Sequence, residues 1–186
     1  MKKINYQNYF LKLFVNLAMV MLLFLQTSVY AFATTENSTI SRQPKKAETK
    51  TAVLLTQFNN ENKNTGASEF PVQILVNPGG QAINAVGIDF NFDQNILEAA
   101  RIDFNSSFCT LFIKSWFDNK AGQIQIACGK PYPGISEEKE VATIYFRLKN
   151  SGWNEFTFTP KSQVLANDGF GTDILAALEN SMVYLR

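Results

Sequence analysis

Cys109 and Cys128 are the chain's two cysteines, and they bracket the segment SSFCTLFIKSWFDNKAGQIQIACG at 106–129. A thiol does nucleophilic or redox work when a base or a positive charge makes it a thiolate. The usual base is missing, because the 186 residues include no histidine. Ser-His and Cys-His nucleophiles are therefore excluded, as are His-containing zinc and iron sites. If the cysteines are oxidised, thiolate chemistry goes too. Carboxylate catalysis and oxygen-ligand metal binding remain open.

The same segment offers a different chemistry. In strand alternation, Cys109, Leu111, Ile113 and Ser115 share one side, and Phe108, Thr110, Phe112, Lys114 and Trp116 the other. A hairpin turning at Asp118-Asn119, two residues that tolerate left-handed conformations, sets Phe117 opposite Lys120 and Ile113 opposite Ile124. It also sets Leu111 opposite Ile126 and Cys109 opposite Cys128, a separation that suits a cross-strand disulfide. A longer loop over 118–121 leaves the cysteines on a diagonal of the same face. On the outer face this register puts Phe112 opposite Gln125 and Lys114 opposite Gln123, with Trp116 near the turn. Rings beside amides can stack on a sugar and reach its hydroxyls, or can anchor a protein partner. The plainer reading of Phe112 is core, covered by a loop such as 130–139.

The elements that must position these residues are strands. From residue 51 onward, Val, Ile, Phe and Thr come in short alternating runs separated by Gly, Asn, Asp and Pro. Strands are expected at 51–58, 69–77, 83–92, 96–104, 108–117, 123–128, 140–148, 155–159 and 181–186, with a short one possible at 163–168. Only 172–181 has room for a helical turn. About nine short strands in one domain predict an all-β sandwich of two antiparallel sheets. Alternation turns Val86, Ile88, Phe90 and Phe92 inward, with Ala142, Ile144, Phe146, Leu148, Phe156 and Phe158.

The N-terminus is of another kind. Lys2, Lys3 and Lys12 precede the apolar run LFVNLAMVMLLFL at 13–25, and AFATT supplies Ala31 and Ala33 as a small-x-small cleavage site. The run is short for a membrane span, so 1–33 is expected to be a signal peptide, with an uncleaved membrane anchor as the alternative. Residues 34–50 are polar and read as a flexible linker, leaving 51–186 as the domain. Cleavage after Ala33 removes three of the 17 basic residues and none of the 16 acidic ones, leaving a net charge of −2. With no basic block, nucleic acid is not an expected partner. Export implies an oxidising compartment, where the two cysteines pair.

Several stretches together resemble a cohesin domain. INAVGIDFNFDQNILEAARI (83–102) is similar to that family's strand, acidic turn and following strand, with Phe92-Asp93 and Leu97-Glu98 at the matching places. EVATIYFRLKNSGWNEFTF (140–158) and SQVLANDGFGTDIL (162–175) resemble its later strands and closing turn, so the likeness spans about 51–186. The resemblance implies a nine-stranded jelly-roll and a non-catalytic receptor that binds dockerin modules, with no cofactor. It also implies a partner surface on the outer face of the sheet that holds the third, fifth, sixth and eighth strands. Here that face would present Asp89, Gln123 and Gln125 with Phe112, Lys114 and Trp116. Dockerin-binding members often carry Asn and Asp where this chain has Ala85 and Gly87, which offer no side-chain acceptor. Direct polysaccharide binding through the same ring-and-amide face is the alternative function.

Three other groups attract attention. NDGFGTD (167–173) has too few acidic positions for an EF-hand loop and reads as a flexible turn; calcium there would need Asn167 and backbone carbonyls. Glu137, Glu138 and Glu140 read as a solvated acidic patch rather than a glycosidase pair. Tyr132 in PYPG (131–134) reads as a cap over the sandwich edge, with a binding-loop aromatic as the alternative.

Overall fold

A computed structural model describes residues 49–58 and 69–186. The expected leader and nearly all of the expected linker lie outside the described residues. Eleven strands are described, and no helix. They are β1 (Ala52–Gln57), β2 (Phe70–Asn77), β3 (Ile83–Asn91), β4 (Leu97–Asp103), β5 (Leu111–Asp118) and β6 (Gln123–Gly129). These are followed by β7 (Lys139–Leu148), β8 (Gly152–Phe158), β9 (Gln163–Ala166), β10 (Leu175–Glu179) and β11 (Ser181–Leu185). One sheet runs β10-β1-β2-β7-β4 and the other β11-β8-β3-β6-β5, with β9 pairing the first half of β3 along the edge that β8 borders at its end. The two-sheet sandwich is the expected one. The strands beyond nine are β9 and β10, and β10 replaces the helical turn allowed at 172–181. Its backbone is claimed by β1, with which it pairs in parallel.

The core lies between the sheets, and alternation reads it correctly where strands are covered on both ends. Val86, Ile88, Phe90 and Phe92 are buried, as are Ala142, Ile144, Phe146, Phe156 and Phe158. Leu148 is partly buried against them. Phe146 of one sheet meets Phe92 (5.1 Å between centroids) and Phe156 (5.4 Å) of the other, while Phe90 stacks on Phe156 at 5.7 Å and tilts onto Phe158 at 5.0 Å. Tilted and offset rings at these spacings add to the burial energy of each.

The hairpin of β5 and β6 departs from the expected register. The turn is the four residues 119–122, so Asp118 pairs Gln123, Phe117 pairs Ile124, Trp116 pairs Gln125 and Ser115 pairs Ile126. Two contacts set this turn. Gly122 has φ +64°, and a Cβ there would lie 2.3 Å from the Phe92 carbonyl oxygen, so only glycine fits. The Asn119 side chain accepts from the Ala99 N–H (2.8 Å) and donates to the Ala99 carbonyl (2.9 Å), acting as a short strand on the free edge of β4. Asn119 is thereby held against β4 and is not the corner of a two-residue turn.

A bulge between Phe112 and Lys114 then reverses side-chain parity along β5. Phe112 pairs Cys128, whose side chain is buried, and so turns toward the inner side, where its ring packs 4.5 Å from Phe104 while staying 47% exposed at the open edge. Leu111 and Ile113, expected in the core, are exposed, Ile113 by 83%. Phe108, expected outward, is buried, its N–H donating to the Glu140 carbonyl. The reason is that β5 is an edge strand: on its far side nothing among the described residues covers it.

The cysteines are joined. Cys109 and Cys128 form a disulfide with Cα atoms 5.8 Å apart, although Cys128's ladder partner is Phe112 and Cys109 lies just before β5. The bond ties the entry of β5 to β6, closing a loop with a sequence separation of 19.

Two measurements follow. Phe156→Ala should lower unfolding free energy by about 4 kcal/mol, since no neighbour can refill a cavity ringed by three phenylalanines; urea denaturation reads it. Replacing both cysteines by serine should cost about 3 kcal/mol by the loop-closure account, seen as an equal loss in the same titration run on the wild type in reductant.

Candidate functional site

The outer face of the six-stranded sheet is built in rungs across β3, β6 and β5. One rung is Asp89, Gln125 and Trp116; the next is Asn91, Gln123 and Asp118; the third is Gly87, Ala127 and Lys114. Side chains opposite one another in a ladder share a face, so Trp116 and Lys114 stand outward with both glutamines, as expected. Gln125 faces Trp116, however, and not Phe112, and Gln123 faces Asp118, and not Lys114. Phe112 is absent from this face because of the bulge.

Asp89 is the centre of the arrangement and is only 6% exposed. Its carboxylate accepts from the Thr159 hydroxyl (3.0 Å), from Gln125 Nε2 (2.8 Å) and from Gln123 Nε2 (3.3 and 3.4 Å). Its backbone is fixed as well: Ser162 Oγ lies 3.1 Å from both its N and its carbonyl oxygen, and the Thr159 N–H donates to that carbonyl at 2.9 Å. A carboxylate so supplied with donors has little left to offer a partner, and it acts as a positioning residue. It locks the two glutamines, and Gln125 in turn accepts from the Lys114 ammonium. Only one orientation of the Gln125 amide serves both neighbours, nitrogen toward Asp89 and oxygen toward Lys114. The ammonium also lies 5.6 Å from the Trp116 ring centroid, within cation–π range. Trp116 itself is 42% exposed.

Beside these groups the sheet is low. Ala85 and Gly87 on β3 pair Gly129 and Ala127 on β6, so nothing larger than a methyl group rises from four adjacent positions. Gln163 and Leu165 of β9 pair Gly87 and Ala85 on the other side. The result is a floor of small residues between β9 and the Lys114–Trp116 rim.

Five residues escaped sequence reasoning. Thr159 and Ser162 belong to a turn after β8 whose partner, Asp89, is 70 or more residues away, and no local pattern reveals them. Trp153, Met182 and Tyr184 are exposed on β8 and β11 of the same sheet, with the Trp153 and Tyr184 rings 5.4 Å apart. Starting β8 at 155 hid Trp153, though alternation from Gly152 would have placed it outward.

The remaining candidates resolve simply. Tyr132 is 86% exposed and caps nothing; Ile135 does the packing, bridging to Ile83. Glu140 accepts from Gln73 (2.9 Å) and Thr143 (2.6 Å) and so serves the outer face of the other sheet. Asp168 folds its own turn, accepting from the Phe170 N–H and the Thr172 hydroxyl. Desolvation works to raise its carboxyl, but those hydrogen bonds outweigh it and hold the group below the ordinary value. Among the described residues no cluster of three or more Cys, Asp or Glu side chains could hold a metal ion.

Comparison with known proteins places the fold. No family model and no curated protein matches the chain. Solved structures do: a cohesin module from Clostridium acetobutylicum superposes with a TM-score of 0.59 at 17% identity, covering 74% of this chain and 92% of that one. A cohesin module of a family 33 glycoside hydrolase from Clostridium perfringens gives 0.56 at 18%, covering 74% and 97%. A type I cohesin–dockerin complex from Clostridium thermocellum gives 0.57 at 13%, covering 77% and 97%. The domain has the cohesin fold.

Asp89→Ala leaves the Gln123, Gln125 and Thr159 donors without their acceptor at a largely buried point. It should cost about 2 kcal/mol in chemical denaturation, and amide exchange should quicken across β3 and β6 rather than β1 and β2.

Proposed function

We propose that the chain is an exported, non-catalytic receptor module that binds a protein partner, of dockerin type or another surface protein, through the outer face of β8, β3, β6 and β5. The observation that carries this reading is the pairing of a low floor, Ala85, Gly87, Ala127 and Gly129, with a rigid rim made by Trp116 and Lys114. A low floor admits a partner's helix or strand close to the sheet, and a half-exposed tryptophan beside it has the character of an interface anchor. The cohesin fold supports the same face, because the resemblance assigns dockerin contact to it. One of the similar structures is itself a cohesin–dockerin complex. With Ala85 and Gly87 at the positions where acceptors are common, polar recognition falls to the Gln123 side-chain carbonyl oxygen, Lys114 and Asp118 at the rim. The disulfide and the N-terminal LFVNLAMVMLLFL segment support an extracytoplasmic location, with polysaccharide-degrading enzymes as the natural cargo.

The carbohydrate reading is weaker on one count. A sugar site needs free amide groups next to the ring, yet both Gln Nε2 groups donate to Asp89 and the Gln125 oxygen accepts from Lys114. Those groups are committed within the protein, which suits a preorganised rim better than hydroxyl capture.

Affinity capture from the secreted proteins of the source cells, with wild type and Trp116→Ala in parallel, tests the proposal. A partner held by the wild type should bind the variant at least about tenfold more weakly, the loss typical of an aromatic anchor. Equal capture by both would remove the support, and retention on polysaccharide alone would favour the alternative.

A further inference from the structure

We propose that the chain self-associates through β5, two copies pairing antiparallel about Trp116 so that their six-stranded sheets join into one continuous sheet. This stands apart from the partner-binding reading and does not rest on it. The open edge of β5 is the starting point. All of Leu111–Trp116 is exposed, on an edge strand with no neighbour on its far side among the described residues. An edge strand presents a row of unpaired backbone N–H and C=O groups, the commonest template for strand addition.

Charge selects the occupant and the register. Lys114, Trp116 and Asp118 share the outer face at alternate positions, with opposite charges either side of the ring. When Trp116 lies opposite its own copy, Lys114 of each chain falls opposite Asp118 of the other, and the two-fold axis makes the pair twice. Sliding two residues toward the turn sets Trp116 opposite Asp118, and sliding two the other way sets Lys114 opposite Trp116, so either slide loses both Lys–Asp pairs. Sliding four residues either way sets Lys114 against Lys114 or Asp118 against Asp118, like-charge pairs that destabilise a ladder. Sliding by an odd number opposes outer residues to inner ones. The bulge after Phe112 breaks the alternation of β5 at its other end, so the unbroken stretch open to such pairing is 114–118. The ion pairs are available: Asp118 uses Oδ1 to cap the Lys120 and Ala121 N–H groups, and its Oδ2 has no partner among the described residues. Lys114 spends one donor on Gln125 and keeps two.

In such a dimer the Trp116 rings stay on the outer face, side by side at the join. The two low floors then lie either side of a doubled Lys114–Trp116 rim, and a partner with two binding elements would gain avidity. The paired edge is also removed as an aggregation template.

Sedimentation velocity over a wide concentration range tests this, using the full chain made in a secreting host. Wild type should show a monomer–dimer equilibrium that weakens in high salt. Lys114→Asp and Asp118→Lys should each weaken association about tenfold or more by setting like charges opposite, and the double exchange should restore it. A wild type that is monomeric throughout, or a dimer indifferent to both single reversals, overturns the proposal. Because Asp118 also caps the turn, amide exchange on the wild type gives an independent measure. Protection over 114–118 should rise with protein concentration; a rise elsewhere, or none, overturns the proposal as well.

Discussion

The sandwich rests on the interlock of phenylalanine rings between its sheets. Phe146, with Phe70 beside it, comes from the five-stranded sheet and meets Phe92 and Phe156 from the other, and Phe156 is backed in turn by Phe90, which packs on Phe158. All six are within a few per cent of full burial, and full burial of one such side chain is worth about 1.5–3 kcal/mol. Their position also has a geometric consequence. Every strand that supplies a ring must keep its alternation fixed, so β3 cannot slide without exposing Phe90, and Asp89, its neighbour, is thereby held outward. The candidate site inherits its precision from the core directly beneath it.

From β3 the order passes to the hairpin by a different route. β6 is bound to β3 along its whole length and shares its parity, with Ile124, Ile126 and Cys128 buried. β5 receives no such instruction from the core, since its inner side is only partly covered. Its register comes from the turn, where Gly122 must approach the Phe92 carbonyl and Asn119 must cap the edge of β4. The disulfide holds the other end, tethering the approach to β5 against Cys128. Between these two fixed ends one residue is in excess, and the bulge at Ile113 absorbs it. An exposed edge strand tolerates that irregularity at low cost, whereas a central strand would lose core contacts on both sides.

This explains what was legible in the sequence. Alternation is a readable code only where burial enforces it, and on β3, β7 and β8 it gave the inward residues correctly. The cysteine pairing was legible because the two buried cysteines, one at each end of the hairpin, approach each other under more than one turn length. Phe112 was misplaced because a bulge carries no compositional mark in TLFIKSW, and Leu111 and Ile113 were misplaced because apolar side chains at an unpartnered edge look like core. β10 was missed for a related reason. LAALE has helical propensity, and only the parallel edge offered by β1 makes it a strand, an instance of tertiary context overriding local preference. Thr159 and Ser162 were out of reach altogether, since their role depends on a contact across 70 or more residues.

The arrangement on the outer face shows how a surface can be made rigid without being made inert. Burying the Asp89 carboxylate costs solvation, and four donor contacts offset that cost while freezing two long glutamine side chains that would otherwise be mobile. Freezing them before a partner arrives removes an entropy loss from the binding step, of the order of about 0.5–1.5 kcal/mol for each immobilised side chain. The Gln125 amide then passes the charge of Asp89 outward as an oriented dipole and so draws Lys114 across the sheet toward Trp116. A tryptophan with an ammonium held over it is fixed in both position and polarity. The floor of small residues beside it has no side chains to order, so a partner's backbone could approach at little entropic cost. The geometry therefore concentrates flexibility loss in folding, where the phenylalanine core compensates for it, and leaves association with few groups still to arrange.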